Sequence, residues 1–128
     1  MFDHVSLTVS DLPRSRRFYT QSLAPLGHSV QHDVTAEQTG AGAATGFGSD
    51  GKAAFWIAEG RPSAPTHLAF AAKTRADVQA FYDAAIAAGG KDHGPPGRRP
   101  HDGPTYSGGF VIDPDGHNVE AVCRIGAA

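Results

Sequence analysis

The chain has 128 residues, 40% of them apolar and 19% charged, with a formal net charge of −2. That is enough for one domain with its own core, and the charge balance offers no basic stripe for nucleic acid. No apolar run approaches the roughly 18 residues of a membrane helix, and "MFDHVSL" lacks the basic region and apolar core of a signal peptide, so a cytoplasmic protein with no membrane partner is expected.

In "DHVSLTVSDLPRSRRFY", Val5, Leu7 and Val9 alternate with Ser6, Thr8 and Ser10, the pattern of a half-buried strand. A titratable side chain, His4, opens it. "SDLP" then starts a helix, with Ser10 or Asp11 as cap and Pro13 in the first turn. Phe18, Tyr19, Ser22, Leu23 and Leu26 form its apolar stripe, and "APLG" ends it. "HSVQHDV", "AATGFGS" and "KAAFWIA" read as three strands. The run "GAGAATGFG" is spaced G-x-G-x-x-x-G with no helical pattern after it, so it is read as a flexible hairpin beside a ligand and not as a nucleotide loop.

Residues 60–65 form a Pro-rich connector. "HLAFA" is a strand, followed by a helix capped by Thr74, with Val78, Phe81, Tyr82 and Ala85 on its buried face and Gly89–Gly90 as its stop. "KDHGPPGRRPHDGPTYSGG" reads as a long loop, and loops of this length in compact domains carry function or are disordered. "GFVID" and "HNVEAVCRI" are strands joined by the turn "DPDG".

An offset of 63 residues lays His67 on His4, Phe81–Tyr82 on Phe18–Tyr19, Gly90 on Gly27 and Gly109–Phe110 on Gly46–Phe47. The constant offset indicates an internal repeat. Module one spans 1–59, the connector 60–65, and module two 66–126. Each reads strand–helix–strand–strand–strand. The expected fold is α+β: two tandem βαβββ modules forming a cupped mixed sheet around a cleft, with the helices outside.

In that arrangement His4 and His67 face each other across the cleft. Glu120 sits among apolar neighbours on the last strand, and a carboxylate there is costly unless paired or bound to metal. The first-half counterpart of Glu120 is placed at Phe55, with Ile57 as the other register on the same strand face. Two imidazoles and one carboxylate suit one borderline divalent ion (Fe, Mn, Ni, Co or Zn) and leave positions open for water and substrate. The bland alternative for His4 and His67 is a pair of core or interface histidines satisfied by backbone. Phe55 and Trp56 supply an apolar wall. His101 and Tyr106, in the long loop, are either proton donors, bases and substrate contacts or plain exposed loop residues. Arg98 and Arg99 either clamp a substrate carboxylate or phosphate or form a solvated pair. His117 is read as an exposed turn residue, and Cys123, of parity opposite to Glu120, as a structural residue facing away from the cleft. Cys123 is the only cysteine, which excludes an internal disulfide and a thiolate zinc cluster.

These residues resemble the vicinal oxygen chelate superfamily, which includes glyoxalase I, bleomycin-resistance proteins, fosfomycin-resistance enzymes and extradiol dioxygenases. "DHVSLTVSDLPRSRRFY" resembles its opening strand and helix, "THLAF" the start of its second module, and "GFVIDPDGHNVEAV" its closing hairpin. The resemblance implies that His4, His67 and Glu120 occupy three of four metal-ligand positions. The fourth, a glutamate in glyoxalase I, is Phe55 here, which leaves the three-ligand pattern of dioxygenases and fosfomycin-resistance enzymes. The implied function is a metal-dependent lyase, isomerase or dioxygenase acting on a small oxygenated substrate chelated to the ion. Glu120, His101 and Tyr106 would be its catalytic groups, and the assembly a homodimer. The alternative is a metal-free, ligand-sequestering protein of the bleomycin-resistance type, its cleft lined by Phe55, Trp56 and Phe110.

Overall fold

The computed structural model describes residues 1–62 and 64–124. Ser63 of the connector and residues 125–128, including the expected end of module two, lie outside the described residues. The chain is α+β. β1 (Val5–Val9), α1 (Leu12–Leu23), β2 (Ser29–Val34), α2 (Ala36–Thr39), β3 (Ala44–Ser49) and β4 (Lys52–Glu59) make the first module. β5 (His67–Ala71), α3 (Arg75–Ala87), β6 (Lys91–Arg98), β7 (Ser107–Ile112) and β8 (Asn118–Cys123) make the second. The two four-stranded sheets have the same order, β1-β4-β3-β2 and β5-β8-β7-β6. Both are open. In each, the outer pair β1·β4 or β5·β8 is parallel and the rest antiparallel.

Local chemistry sets the helix boundaries. Asp11 accepts from the Arg14 amide at 3.1 Å at the start of α1, with a proline in the first turn. Thr74 accepts from the Asp77 amide at 3.1 Å at the start of α3. The one-turn α2, which alternation does not reveal, rests on a reciprocal capping box between Thr35 and Gln38.

One hydrophobic cluster spans both modules. Leu7 and Val9 of β1, Phe18, Tyr19 and Leu23 of α1, Val78, Phe81 and Ala85 of α3, and Val119, Ala121 and Cys123 of β8 all belong to it. Phe55 and Phe70, one from each module, meet edge to face at 5.2 Å. Each fully buried Phe or Leu contributes on the order of 2 kcal/mol of transfer free energy.

A polar latch also joins the halves. The Tyr19 hydroxyl donates to Asp113 Oδ2 at 2.5 Å, inside the core. Asp113 Oδ1 accepts from the amides of Asp115 and His117. Asp115 accepts from the Ser10 amide and hydroxyl.

Two expectations are corrected. Residues 91–98, read as loop, are the strand β6. It is the sheet's edge, where Pro95 and Pro96 forfeit no ladder bond that a central strand would need, and its register shifts on either side of Gly94. His117 is buried, not an exposed turn residue. Its Nδ1 accepts from the Thr66 amide at 3.0 Å, and its Nε2 therefore donates to the Thr8 carbonyl at 3.3 Å, bridging the modules. Among the described residues, no helix is long and apolar enough to cross a membrane.

Candidate functional site

Leu7 and Val9 are buried in the shared core while Ser6 and Thr8 are exposed, so alternate residues of β1 point to opposite faces of the first sheet. In the second sheet, Val119, Ala121 and Cys123 enter the core, whereas Asn118, Glu120 and Val122 take the other face. His67 pairs with Asn118 and Ala69 with Glu120 along the parallel ladder, which brings His67 and Glu120 onto that same face. Phe110 is the direct antiparallel partner of Glu120.

Glu120 is nearly fully buried, and its two oxygens have different partners. Oε1 lies 3.0 Å from His67 Nε2, and Oε2 accepts from the Tyr106 hydroxyl at 2.7 Å. Room for this comes from Gly108: a Cβ there would sit 3.1 Å from Glu120 Oε2 and 3.2 Å from Tyr106 Cε1. Burial, then the hydrogen bond to Glu120 and its charge, push the Tyr106 phenol up to about 12, so Tyr106 is a proton-retaining donor at neutral pH. The Arg124 guanidinium lies 4.7 Å from the Tyr106 ring centre. His67 stacks beside Phe110 at 6.3 Å.

The tautomer of His67 tests whether these residues suit a metal. Its Nδ1 lies 3.1 Å from the Asn118 carbonyl, an acceptor only, so Nδ1 carries a proton. In the neutral ring, Nε2 then presents a lone pair to a carboxylate oxygen. Two acceptors at 3.0 Å need a cation or an additional proton between them. A ring nitrogen fixed by the hydrogen bond of its partner nitrogen, beside a buried carboxylate, fits two ligands of a borderline divalent ion.

His4 does not join them within the chain. It is half exposed and its Nδ1 meets Asp3 Oδ1 at 2.7 Å. That hydrogen bond and Lys52 hold the Asp3 carboxyl below the usual range. Among the described residues, no group of three His, Cys, Asp or Glu side chains is close enough to hold a metal ion. Of the expected triad, one chain assembles only His67 and Glu120.

The remaining expected site residues divide sharply. Tyr106 is in the site. His101 is exposed on a short turn, 3.3 Å from Asp102, and makes no contact with Glu120. Phe55 is corrected: it is packed in the core against Tyr19, Phe47 and Phe70 and lines no wall of the polar face. The ladder gives the reason. Val5 pairs with Phe55 as Leu68 pairs with Val119, so the counterpart of Glu120 is Trp56, one residue away from both registers considered in the sequence. Trp56 lies over Gly46, where a Cβ would come within 2.8 Å of the indole, and stacks on His32 at 6.3 Å with an interplanar angle of 8°. Arg98 is tied to the Pro104 carbonyl, and Arg99 lies 5.5 Å from the Phe110 ring centre. Cys123 is in the core, as its parity requires.

Residues 1–121 match the family model of the Glyoxalase/Bleomycin resistance protein/Dioxygenase superfamily. A glyoxalase/bleomycin resistance protein from Albidiferax ferrireducens has a similar structure, with a TM-score of 0.78 and 31% identity over 97% of this chain and 99% of that one. A glyoxylase/bleomycin resistance protein/dioxygenase domain from Frankia matches with a TM-score of 0.72 and 20% identity, covering 97% of each chain. A glyoxalase I mutant from Zea mays matches with a TM-score of 0.72 and 22% identity, covering 94% of this chain and 46% of that one. No curated protein sequence matches. The family match and the similarity to the Albidiferax protein are carried by nearly the whole chain, and the chain belongs to the glyoxalase/bleomycin resistance protein/dioxygenase superfamily.

Proposed function

We propose that the protein is a divalent-metal-dependent enzyme of this superfamily, acting on a small oxygenated substrate by lyase, isomerase or dioxygenase chemistry. His67 and Glu120 are two ligands, and His4 of a second copy of the chain is the third, in a homodimer. The observation that carries the reading is the 3.0 Å approach of His67 Nε2 to buried Glu120 Oε1, with Nδ1 already committed to the Asn118 carbonyl. A bound ion would supply Lewis acidity toward two neighbouring substrate oxygens.

The chain's own groups do the rest. Glu120 is the base: its carboxylate sits at the centre of the polar face and, on leaving the ligand set, takes the substrate proton on Oε1. Tyr106 holds Oε2 through its hydroxyl and so fixes the plane of the carboxylate. His67 is oriented by Asn118, and Phe110 lies alongside its imidazole. The metal-free sequestering alternative is not favoured, because Phe55, part of its aromatic wall, packs against Tyr19, Phe47 and Phe70 and not with Phe110 on the polar face.

Metal content after purification without chelator tests the proposal. Wild type is expected to retain a divalent ion, and H67A, E120A and H4A each to lose it while remaining folded by circular dichroism. Full metal occupancy in E120A removes the proposal.

A further inference from the structure

Beside the His67–Glu120 pair lies a pocket of about 260 Å³, lined by His93, Arg99, His101, Asp102, Phe110 and Asn118 together with Gly94. Arg99 is built into its wall. The guanidinium lies over Phe110, and its Nη2 donates to the Pro95 carbonyl at 2.6 Å. Two glycines make the slot: a Cβ on Gly94 would come within 3.4 Å of Arg99 Nη2, and one on Gly97 within 3.2 Å of Nη1. The Arg99 amide donates to the Tyr106 carbonyl at 2.8 Å, which ties the pocket to the site. Backbone carbonyls hold the guanidinium, and among the described residues no carboxylate lies within ion-pairing distance of it. Asp102, the one acid in the lining, is met by His101 instead, at 3.3 Å. The Asn118 side-chain oxygen, buried and without a hydrogen-bond partner, belongs to a residue of the same lining.

We propose that this pocket receives the carboxylate end of a small hydroxy-acid, paired with Arg99, while a hydroxyl one or two atoms away lies within reach of the Asn118 side-chain oxygen, to which it can donate, and of the His67–Glu120 pair. A guanidinium fork matches the planar carboxylate. One positive charge without a carboxylate partner suits a monoanion, and Asp102 in the same lining disfavours a dianion. That the ligand is the substrate rests on the function proposed above; that the pocket takes a carboxylate does not.

Glycolate is the probe, with glycolamide as its neutral counterpart and inorganic phosphate as the competing anion. The full-length chain is treated with EDTA, and binding is followed by amide chemical shifts. Glycolate is expected to shift Gly94, Arg99 and Asn118 saturably, and glycolamide is not. R99Q is expected to weaken glycolate by about tenfold or more, with R99K intermediate. Equal binding to wild type and R99Q, equal binding of glycolamide, or no saturable shift overturns the proposal. Phosphate bound more tightly than glycolate overturns the carboxylate assignment. Metal uptake and glycolate binding by the wild-type chain separate the two readings: glycolate binding by a chain that takes up no divalent metal removes the metalloenzyme and leaves the pocket, and metal uptake without glycolate binding does the reverse.

Discussion

The Tyr106 hydroxyl donates to Glu120 Oε2 at 2.7 Å, leaving Oε1 to face His67 at 3.0 Å. One carboxylate thus has a partner on each side, a phenol that keeps its proton and an imidazole nitrogen close enough to share a cation with it. Removing the first should loosen the second. Y106F is expected to weaken zinc or manganese binding by about tenfold, the usual effect of losing a partner that orients a ligand. Calorimetric titration reads this directly, and an unchanged affinity would separate Tyr106 from the site.

Tyr106 also gives the fold a pH signature. Its phenol is raised from 10.0 to about 12, so the folded protein holds this proton where the unfolded chain has lost it. The associated stability is complete below about pH 10 and is lost as pH rises through about 12. Buried Tyr19, raised well above its ordinary value by burial and by Asp113, acts in the same direction. Urea midpoints from about pH 9 to 12 are expected to fall in wild type and to fall less steeply in Y106F. Parallel curves would contradict the assignment.

The Tyr19–Asp113 contact joins the modules inside the core. D113A would strand the Tyr19 hydroxyl and the Asp115 and His117 amides together, and should cost about 3 kcal/mol or more. Y19F removes one donor and should cost about 1 kcal/mol. Urea denaturation measures both, and a D113A loss no larger than that of Y19F would show that the latch is not a single unit.

Gly46 carries Trp56 across β3. In G46A the new methyl would meet Ala53 Cβ at 2.6 Å and the indole at 2.8 Å, so the expected loss is ~1–3 kcal/mol with a changed near-ultraviolet tryptophan signal. An unaltered tryptophan spectrum would place the indole elsewhere.

Much of this was legible in the residues. The repeat offset of 63 carries α1 (Leu12–Leu23) onto α3 (Arg75–Ala87), and the two sheets share one strand order. Glu120 stood out because an acid at a strand centre needs a partner, and it has two. Phe55 and Ile57 bracket the true counterpart of Glu120, Trp56. A parallel pair such as β1·β4 leaves no local turn from which to count. The burial of His117 is not legible locally, because its partners, Thr66 and Thr8, are distant in sequence. β6 was hidden because two prolines and two glycines erase alternation on an edge strand that does not need it. The separation of His4 from His67 within one chain depends on how two whole modules dock, which no window of sequence encodes.

In the proposed homodimer, His4 of one chain completes the His67–Glu120 pair of another. The most direct measurement is metal content of a dual-tagged heterodimer of H4A and E120A chains. Each variant alone is expected to be empty. In the heterodimer one of the two sites regains all three ligands, so about half the wild-type metal content should return. A heterodimer as empty as its parents, or an H4A protein that keeps its full complement of metal, would contradict the account.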